Sequence, residues 1–331
     1  MAAKLTQETP YKTITVTELR PDFGAEVSGV SFDNTSDEQL QELLAVLAKY
    51  GFCVMRSTTL TDETHVTFSR LFGDLDDTRR FQSHFGAKPR MPYFELFDAG
   101  NFDAAGNIVP ADSPRAHANR GNTLFHADSS FNPRRSSFSL LRAVAIPPRE
   151  TGGNTEFADN RRAFDELPED TKEKLLKSEL VGAHCLAQSR KLGSPEFFKG
   201  IYPSLAPMSK HKIVQTHEPS GRKTLYVGAH LHHIEGEGVD EKSSGELVEY
   251  LRRHIGQEKY VVSVAWENPG DLIIWDNRAV VHRAGRWEGE GKYARDLRRT
   301  TVHDDGSEAW GLNPVGTPMP TLESWQKRPT A

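Results

Sequence analysis

The segment Leu124-Phe125-His126-Ala127-Asp128 places an imidazole and a carboxylate one residue apart, preceded by two apolar side chains. In a strand, His126 and Asp128 would project side by side, because alternate side chains point to the same face. Two histidines and one carboxylate form the facial triad that suits non-heme Fe(II) and leaves positions open for substrate and oxygen. The segment offers two of these ligands, so the fold must bring the third to it from elsewhere.

A His-x-acid pair is a weak signal by itself. In a chain of 331 residues with 13 histidines and 46 acidic residues, about one or two such pairs are expected by chance. Two others occur: His233-Ile234-Glu235 runs into glycines, and His303-Asp304-Asp305 lies in a turn sequence. The non-functional interpretation of any one pair is a surface or hydrogen-bonded histidine beside an exposed acid.

The candidate third ligand is His282, which follows the apolar pair Val280-Val281. A lone histidine after an apolar pair is more often a core residue than a ligand. The order along the chain favours the ligand here, because a triad on a double sheet takes its third member from a distant, later strand that faces the first two. His126, Asp128 and His282 match that order.

Short strand-like segments alternate with a few amphipathic helices along the chain. Apolar runs and apolar spacing predict strands near 13–16, 25–30, 52–55, 138–146, 260–266, 272–275 and 280–282, and helices after Ser36, after Thr61 and over 246–255. We expect a single domain over 1–331, mixed α/β but dominated by β, with a double-stranded β-helix (jelly-roll, cupin-like) core and flanking helices. Residues 98–122 are long for a loop inside a domain and are expected to form an active-site lid.

The amino-acid composition limits the classes of binding partner and the cellular compartment that we expect. The net charge of −5 argues against nucleic acid or an anionic membrane as the main partner. Only Cys53 and Cys185 are present, which fits a reducing compartment. No secretory signal and no run of membrane-spanning length is found. We expect a cytoplasmic protein that acts on a small acidic molecule, and the sequence leaves a homo-oligomer open.

Two arginines, Arg295 and Arg299, lie four residues apart in the strand-like segment 294–302. In a strand they share one face with Leu297. Guanidinium groups on a buried face are costly unless an anion meets them, and arginine binds carboxylates through two parallel hydrogen bonds. The pair therefore predicts carboxylate binding. The alternative for Arg299 is an internal salt bridge with an acid such as Glu156.

In combination, these motifs resemble the taurine / 2,4-dichlorophenoxyacetate dioxygenase (TauD/TfdA) family of Fe(II)/2-oxoglutarate-dependent oxygenases. The likeness covers nearly the whole chain and rests on His126-x-Asp128, Gly152-Gly153-Asn154-Thr155, Trp275-Asp276-Asn277-Arg278 with His282, and the Arg295/Arg299 strand. The segments that follow His126 and Thr155 are closer to the aryloxyacetate branch than to the taurine branch. Each motif is unspecific alone and the set is specific.

The resemblance implies a role for each site residue. The metal ligands would be His126, Asp128 and His282; the 2-oxoglutarate-binding residues would be Arg295 and Thr155; Asn122 would lie near the cosubstrate and oxygen; and Arg299 would bind the anionic group of the prime substrate. The spacing from His282 to Arg295 is slightly longer than is usual in the family. Arg298 is therefore the competitor of Arg295 unless residues 288–291 loop out.

The implied activity is that of an Fe(II)/2-oxoglutarate-dependent dioxygenase, which uses O2 and releases succinate and CO2. It would hydroxylate, desaturate or cyclise a small carboxylate such as an aryloxy acid or an amino acid. The alternatives are a taurine or sulfonate dioxygenase, a metal-dependent hydrolase that uses the same two-histidine, one-aspartate site, and a binding protein that kept only the fold. The hydrolase leaves Arg295 and Thr155 without a role.

Overall fold

The structure is a computed structural model that describes residues 11–82, 90–321 and 324. Its strands are Thr15–Arg20 (β1), Phe23–Ser28 (β2), Phe52–Met55 (β3), Phe97–Asp98 (β4), Ser136–Ala145 (β5), Thr155–Asp159 (β6), Val181–His184 (β7), Ser209–Lys212 (β8), Val214–His217 (β9), Arg222–Leu225 (β10), Leu231–Glu235 (β11), Val261–Val264 (β12), Leu272–Asp276 (β13), Val280–Ala284 (β14) and Asp296–His303 (β15). Its α-helices are Asp37–Tyr50 (α1), Asp62–Ser69 (α2), Arg79–Gln82 (α3), Pro114–Arg120 (α4), Asn160–Asp165 (α5), Glu169–Lys177 (α6), Leu186–Gly193 (α7) and Glu241–Ile255 (α8).

The larger sheet has seven strands in the order β1-β2-β3-β13-β5-β15-β4. All neighbours are antiparallel except β2 and β3. Every residue of β3 and β13 is buried, which explains why both strands are continuous apolar runs in the sequence. β15 lies next to β5, so the segment that carries Arg299 is an inner strand of this sheet.

A second layer faces this sheet. It contains β12-β6-β14 and β11-β7-β8, and the main chain of residues 125–126 lies between the two groups, bonded to His282 on one side and to Ala229 on the other. Aromatic rings fill the space between the layers: Phe52 stacks on Phe157 at 4.2 Å, and Phe157 contacts Trp275 at 5.6 Å between ring centroids. The predicted β-dominated double sheet with a jelly-roll core is confirmed.

Helices cover the outer faces of both layers. Leu43 and Leu47 of α1 and Phe68 of α2 pack with Leu140 and Ile274 of the larger sheet. On the other side, α5 and α8 pack against the second layer in a separate core cluster. Within the described residues, no helix is long and apolar enough to cross a membrane. The predicted single domain over 1–331 stays a prediction, since both chain ends lie outside the described residues.

Two local expectations need correction. His126 is not part of a regular strand but forms an isolated bridge, and Asp128 begins a turn in which Ser129 has a φ of 56°. Residues 98–122 are not an irregular loop, because they contain the helix α4, whose first turn is capped by the Ser113 side chain at 3.2 Å from the Ala116 amide. Their role as a lid stays a prediction.

Candidate active site

The main chains of His126 and His282 form a hydrogen-bonded pair. The His126 N–H donates to the His282 carbonyl at 3.0 Å, and the His282 N–H donates to the His126 carbonyl at 2.9 Å. Residues paired in this way project their side chains to the same side of the layer. The two imidazole rings consequently lie 4.3 Å apart between centroids, although the residues are far apart in sequence.

Asp128 places its carboxylate between the two imidazoles. Its Oδ1 lies 3.8 Å from His126 Nε2 and its Oδ2 lies 3.7 Å from His282 Nε2. One ligand atom from each residue can be chosen so that all lie within 4.8 Å of one another, and all three side chains are buried. Two imidazole nitrogens and one carboxylate oxygen around a common point fit the donor set of a non-heme Fe(II) site.

The charge states of the three side chains also fit a metal. Burial lowers the pKa of His126 and lowers that of His282 well below its usual value, so both rings are neutral. Burial raises the pKa of Asp128, but the Arg299 guanidinium, helped by the hydrogen bond from Ser139, outweighs that effect and holds the pKa below its usual value. Neutral imidazole and ionised carboxylate are the forms that ligate metals.

Neighbouring groups fix the orientation of these side chains. The His126 Nδ1–H can donate to the Leu124 carbonyl at 2.8 Å, which leaves Nε2 free to face the metal. Ser139 Oγ–H donates to Asp128 Oδ2 at 2.8 Å, and the Asp128 amide donates to Asn277 Oδ1 at 2.9 Å. The Asn277 amide group in turn donates to Ser139 Oγ at 3.0 Å.

Ser139 and Asn277 have no predicted role in the site. Asn277 lies in the Trp275-Asp276-Asn277-Arg278 motif, so its position was a usable signal, and its Oδ1 also accepts from the Trp275 indole at 2.9 Å. Ser139 gave no signal, because it is one of many serines in a strand-like run. Ser139 thus holds the Asp128 carboxylate directly, whereas Asn277 holds the Asp128 main chain and the Ser139 hydroxyl.

Arg295 lies at the entrance to β15, close to Gly153, whose carbonyl accepts from Arg295 Nη2 at 3.3 Å. No acidic side chain of the described residues pairs with it, and burial lowers its pKa to about 10. Thr155 lies two residues beyond Gly153, and it is on the same face of β6 as Phe157, which is paired with His282. The predicted 2-oxoglutarate residues thus come together near the start of β6, the strand that pairs with β14 and its His282.

Arg298, the competitor of Arg295, lies on the other face of β15. Its guanidinium donates to Asp62, and to Asp296 Oδ2 at 2.9 Å. Residues 288–291 lie in the irregular connection between β14 and β15, so they loop out as the Arg295 alignment requires. Arg298 is thus occupied by two acids, whereas Arg295 has none among the described residues. This arrangement favours Arg295 over Arg298 as the 2-oxoglutarate-binding residue.

Arg299 reaches the metal cluster itself. Its Nη1 donates to Asp128 Oδ1 at 2.5 Å, and its guanidinium lies over the Phe97 ring at 4.9 Å. The alternative partner proposed from the sequence, Glu156, is wrong, since Glu156 accepts from Arg283 at 2.6 Å. The Arg299 Nε is buried and has no hydrogen-bond partner among the described residues, so Asp128 satisfies only part of this side chain.

Asn122 lies in the short 3₁₀ turn that follows α4. Its Oδ1 accepts from Arg190 Nη1 at 2.9 Å, a contact with α7 that the sequence did not predict. His230, also unpredicted, is buried with its ring 5.3 Å from that of His126 and 4.9 Å from that of Phe131. Neither Arg190 nor His230 lies in a motif, so only the folded chain brings them to the site.

Three comparisons match this chain to known proteins. The family model described as "Taurine catabolism dioxygenase TauD, TfdA family" matches residues 15–301. An alpha-ketoglutarate-dependent 2,4-dichlorophenoxyacetate dioxygenase of Burkholderia sp. (strain RASC) is 35% identical over 86% of this chain and 92% of its own length. An (S)-phenoxypropionate/alpha-ketoglutarate-dioxygenase of Sphingobium herbicidovorans is 30% identical over 82% and 90%.

A solved structure, that of AAD-2 in complex with Mn(II) and N-oxalylglycine, superposes with a TM-score of 0.80 and 31% identity. The match covers 92% of this chain and 99% of that one. Sequence motifs, fold and metal-ligating cluster thus agree with the whole-chain comparisons. This chain belongs to the TauD/TfdA family of Fe(II)/2-oxoglutarate-dependent dioxygenases, and it is closer to the aryloxyacetate branch than to the taurine branch.

Proposed function

We propose that this enzyme oxidises a small aryloxy carboxylate while 2-oxoglutarate and O2 are converted to succinate and CO2. The observation that carries the proposal is the buried His126, Asp128 and His282 cluster, with Arg299 in contact with it. Arg295 lies beside Gly153, next to the strand that pairs with the strand of His282. The relatives that act on aryloxyacetate and phenoxypropionate, according to their names, support the substrate class.

His126, Asp128 and His282 would hold the iron. Fe(II), with 2-oxoglutarate and O2, supplies the oxidising power that replaces a C–H hydrogen by a hydroxyl group. Ser139 and Asn277 hold the Asp128 carboxylate in its orientation, and the interlayer aromatic core, in which Trp275 contacts the His282 ring at 4.5 Å, packs against one side of the cluster. The protein thus contributes ligand geometry and a water-poor environment.

Arg295 would bind the distal carboxylate of 2-oxoglutarate, with the Thr155 hydroxyl as a second donor. The absence of an acidic partner among the described residues supports this role, since a buried guanidinium without a counter-ion is unfavourable until an anion arrives. Thr155 is buried and lies on the inner face of β6, two residues beyond Gly153, which supports its role as the second donor.

Arg299 would bind the substrate carboxylate and thereby choose which C–H bond faces the iron. Its Nε, which has no partner among the described residues, and its contact with Asp128 support a site for the anion immediately beside the metal. In an aryloxyacetate, the carbon between the ether oxygen and the carboxylate would then be nearest the iron. Hydroxylation there gives a hemiacetal, which breaks down to a phenol and glyoxylate.

A cytoplasmic location and a small-molecule partner fit this activity. Cys53 and Cys185 are buried and free, which supports a reducing compartment. The cosubstrate is a metabolite, and the burial of the three ligating side chains supports a substrate small enough to enter the space between the layers.

The proposal is tested by incubating the purified enzyme with Fe(II), 2-oxoglutarate and O2, and with phenoxyacetate, 2-phenoxypropionate, taurine or an α-amino acid in turn. We expect phenol and succinate in equal amounts with an aryloxy acid. Succinate formation coupled to taurine and not to aryloxy acids would instead establish the sulfonate alternative. Product formation without O2 would support the hydrolase.

A further inference from the structure

The His-x-acid pair His233-Ile234-Glu235, which the iron cluster does not use, lies in β11, at one end of the sheet β11-β7-β8. His233 and Glu235 are two residues apart in the strand and project to the same side. His233 Nε2 lies 3.1 Å from Glu235 Oε1, and Lys210 Nζ donates to Glu235 Oε2 at 2.6 Å. The carboxylate is thus bound at both oxygens and holds the His233 ring in one orientation.

A β-bulge brings a second histidine to the same side of β11. In the ladder with β7, the register shifts between Leu231 and His233, so His232 is the extra residue. A bulge interrupts the alternation of side chains and re-aims the residues within it. Burial follows this change: Leu231 and Ile234 are buried, whereas the two histidines between them are both half-buried.

The two imidazole rings meet at their Nδ1 atoms. His232 Nδ1 lies 2.8 Å from His233 Nδ1, and the ring centroids are 5.0 Å apart with the planes at 87°. Two imidazole nitrogens that are each about 2.1 Å from one ion, at a right angle to each other, lie about 3 Å apart. The two Nδ1 atoms therefore already lie close to the separation of neighbouring ligands of one metal ion.

The chemical state of both rings fits a ligand role. When His233 Nε2–H donates to Glu235, its Nδ1 carries the lone pair and faces His232. A carboxylate behind the imidazole is the usual way in which a ligating histidine is oriented. Burial, followed by the effect of His233, lowers the pKa of His232, so this ring is also neutral, as a metal ligand must be.

Without an ion, the contact between the rings is an N–H···N hydrogen bond in which His232 donates to His233. A metal ion would take the place of that one proton, and the His232 proton would move to Nε2. The hydrogen bond and the metal site therefore use the same arrangement of rings, and the two interpretations are separated by measuring metal binding.

The remaining ligands of such an ion would be water. Apart from the buried cluster, the described part of the chain has no group of three histidine, cysteine or acidic ligands that could hold one ion, so this pair supplies two ligands. The side chains of His233 and Glu235 are 36% and 39% exposed, which gives solvent access to this side of β11. Imidazole suits copper, zinc and nickel, and Cu(II) binds most tightly in the Irving–Williams order.

We propose that His232 and His233 form a second metal site, at the surface, which binds Cu(II) and, more weakly, Zn(II) or Ni(II) through the two Nδ1 atoms. Glu235 lies on the far side of the His233 ring, so it is a positioning residue of this site and not a ligand. The site shares no residue with the buried iron cluster.

The test counts bound ions and does not depend on turnover. The full-length metal-free enzyme is dialysed against Cu(II) buffered with glycine, which suppresses binding to single histidines, and bound copper is measured by metal analysis and electron paramagnetic resonance. His232→Asn and His233→Asn each remove one proposed ligand, and His282→Ala removes a ligand of the buried cluster. The matched control is His117→Asn, which removes another half-buried imidazole.

We expect the parent and His117→Asn to bind two Cu(II) ions. His232→Asn and His233→Asn should each bind one, because a single imidazole does not chelate the ion, and His282→Ala should retain the surface ion. Glu235→Gln should weaken binding of the surface ion by about 10–100-fold, as is typical when the partner behind a ligating histidine is changed.

Two bound ions in either His232→Asn or His233→Asn would overturn the inference, since both rings are required. An equal loss in His117→Asn would assign the second ion to unspecific binding and would also overturn it. If an Asn variant does not fold, the copper signal of His282→Ala decides: nitrogen couplings from two imidazoles support the site, and couplings from one contradict it.

Discussion

The two faces of β15 use the same residue type in opposite ways. On the outer face, Arg298 contacts Asp62 and Asp296, and Asp296 also receives both Nη groups of Arg90. On the inner face, Arg299 shares the single carboxylate of Asp128 with the metal cluster, and Arg295 has no acid at all among the described residues.

The difference separates structural arginines from ligand-binding ones. Arg142 joins the outer group through Asp62, and each guanidinium there has an acid as its partner, so the charges are satisfied within the protein. The inner group has one acid, Asp128, for two arginines among the described residues, so it keeps positive charge that a bound anion can neutralise. An arginine near a metal cluster that has no acidic partner of its own is thus a candidate for binding an anionic ligand.

The largest effect on activity is expected when a metal ligand on the inner side is removed. His126→Ala should abolish iron-dependent succinate formation, because two ligands do not hold Fe(II) in the required geometry. The fold should persist, since the bridge to His282 is made by the main chain. Succinate release and iron content measure the first effect and circular dichroism the second. Normal 2-oxoglutarate decarboxylation in this variant would refute the metal assignment.

The two faces are compared directly by Arg295→Ala and Arg298→Ala. Loss of the inner arginine should cost roughly 2–5 kcal/mol of 2-oxoglutarate binding, measured as a rise in the 2-oxoglutarate concentration that gives half-maximal rate. Loss of the outer one should lower the free energy of unfolding by about 1–3 kcal/mol, because Asp62 and Asp296 lose a charged partner.

Arg298→Ala is the matched control in that pair, and its 2-oxoglutarate requirement should stay within about twofold of the parent if only Arg295 contributes the charged hydrogen bonds. The reverse pattern, with the cosubstrate requirement moved by Arg298→Ala, would mean that the alignment of the 294–302 segment is shifted.

A smaller effect is expected from Arg299→Gln, which keeps a donor next to Asp128 but loses the charge. 2-Oxoglutarate should still be consumed, slowly, while the yield of oxidised product per succinate falls several-fold because the substrate carboxylate is no longer anchored. Product and succinate are quantified in the same reaction with an aryloxy acid. An unchanged ratio would show that Arg299 serves only to orient Asp128.

Sequence patterns predicted the strands in which every residue is buried. The runs Phe52-Cys53-Val54-Met55 and Leu272-Ile273-Ile274-Trp275 form the central strands because both of their faces are covered. The helix after Ser36 also forms, with Ser36 accepting from the Gln39 amide at 3.2 Å. In a capping box the Gln39 side chain would accept a hydrogen bond from the Ser36 amide. Here it instead accepts from the Ser31 amide and donates to the Gly29 carbonyl.

Contacts that depend on long-range pairing could not be predicted. Arg283 and Glu156 are opposite each other in the β14–β6 ladder, which removes Glu156 from Arg299. No local pattern carries that register. The helix α4 was missed because its seven residues, Pro114–Arg120, have no apolar stripe, and Arg190 was missed because α7 was not predicted at all.

The bridge between His126 and His282 has a consequence for biosynthesis. A ribosome-bound chain that ends before residue 282 has the His126-x-Asp128 half of the cluster and nothing to close it. A site that needs all three ligands therefore cannot close before residue 282 has been made. On any shorter chain, His126 and Asp128 would offer a metal two ligands and not three.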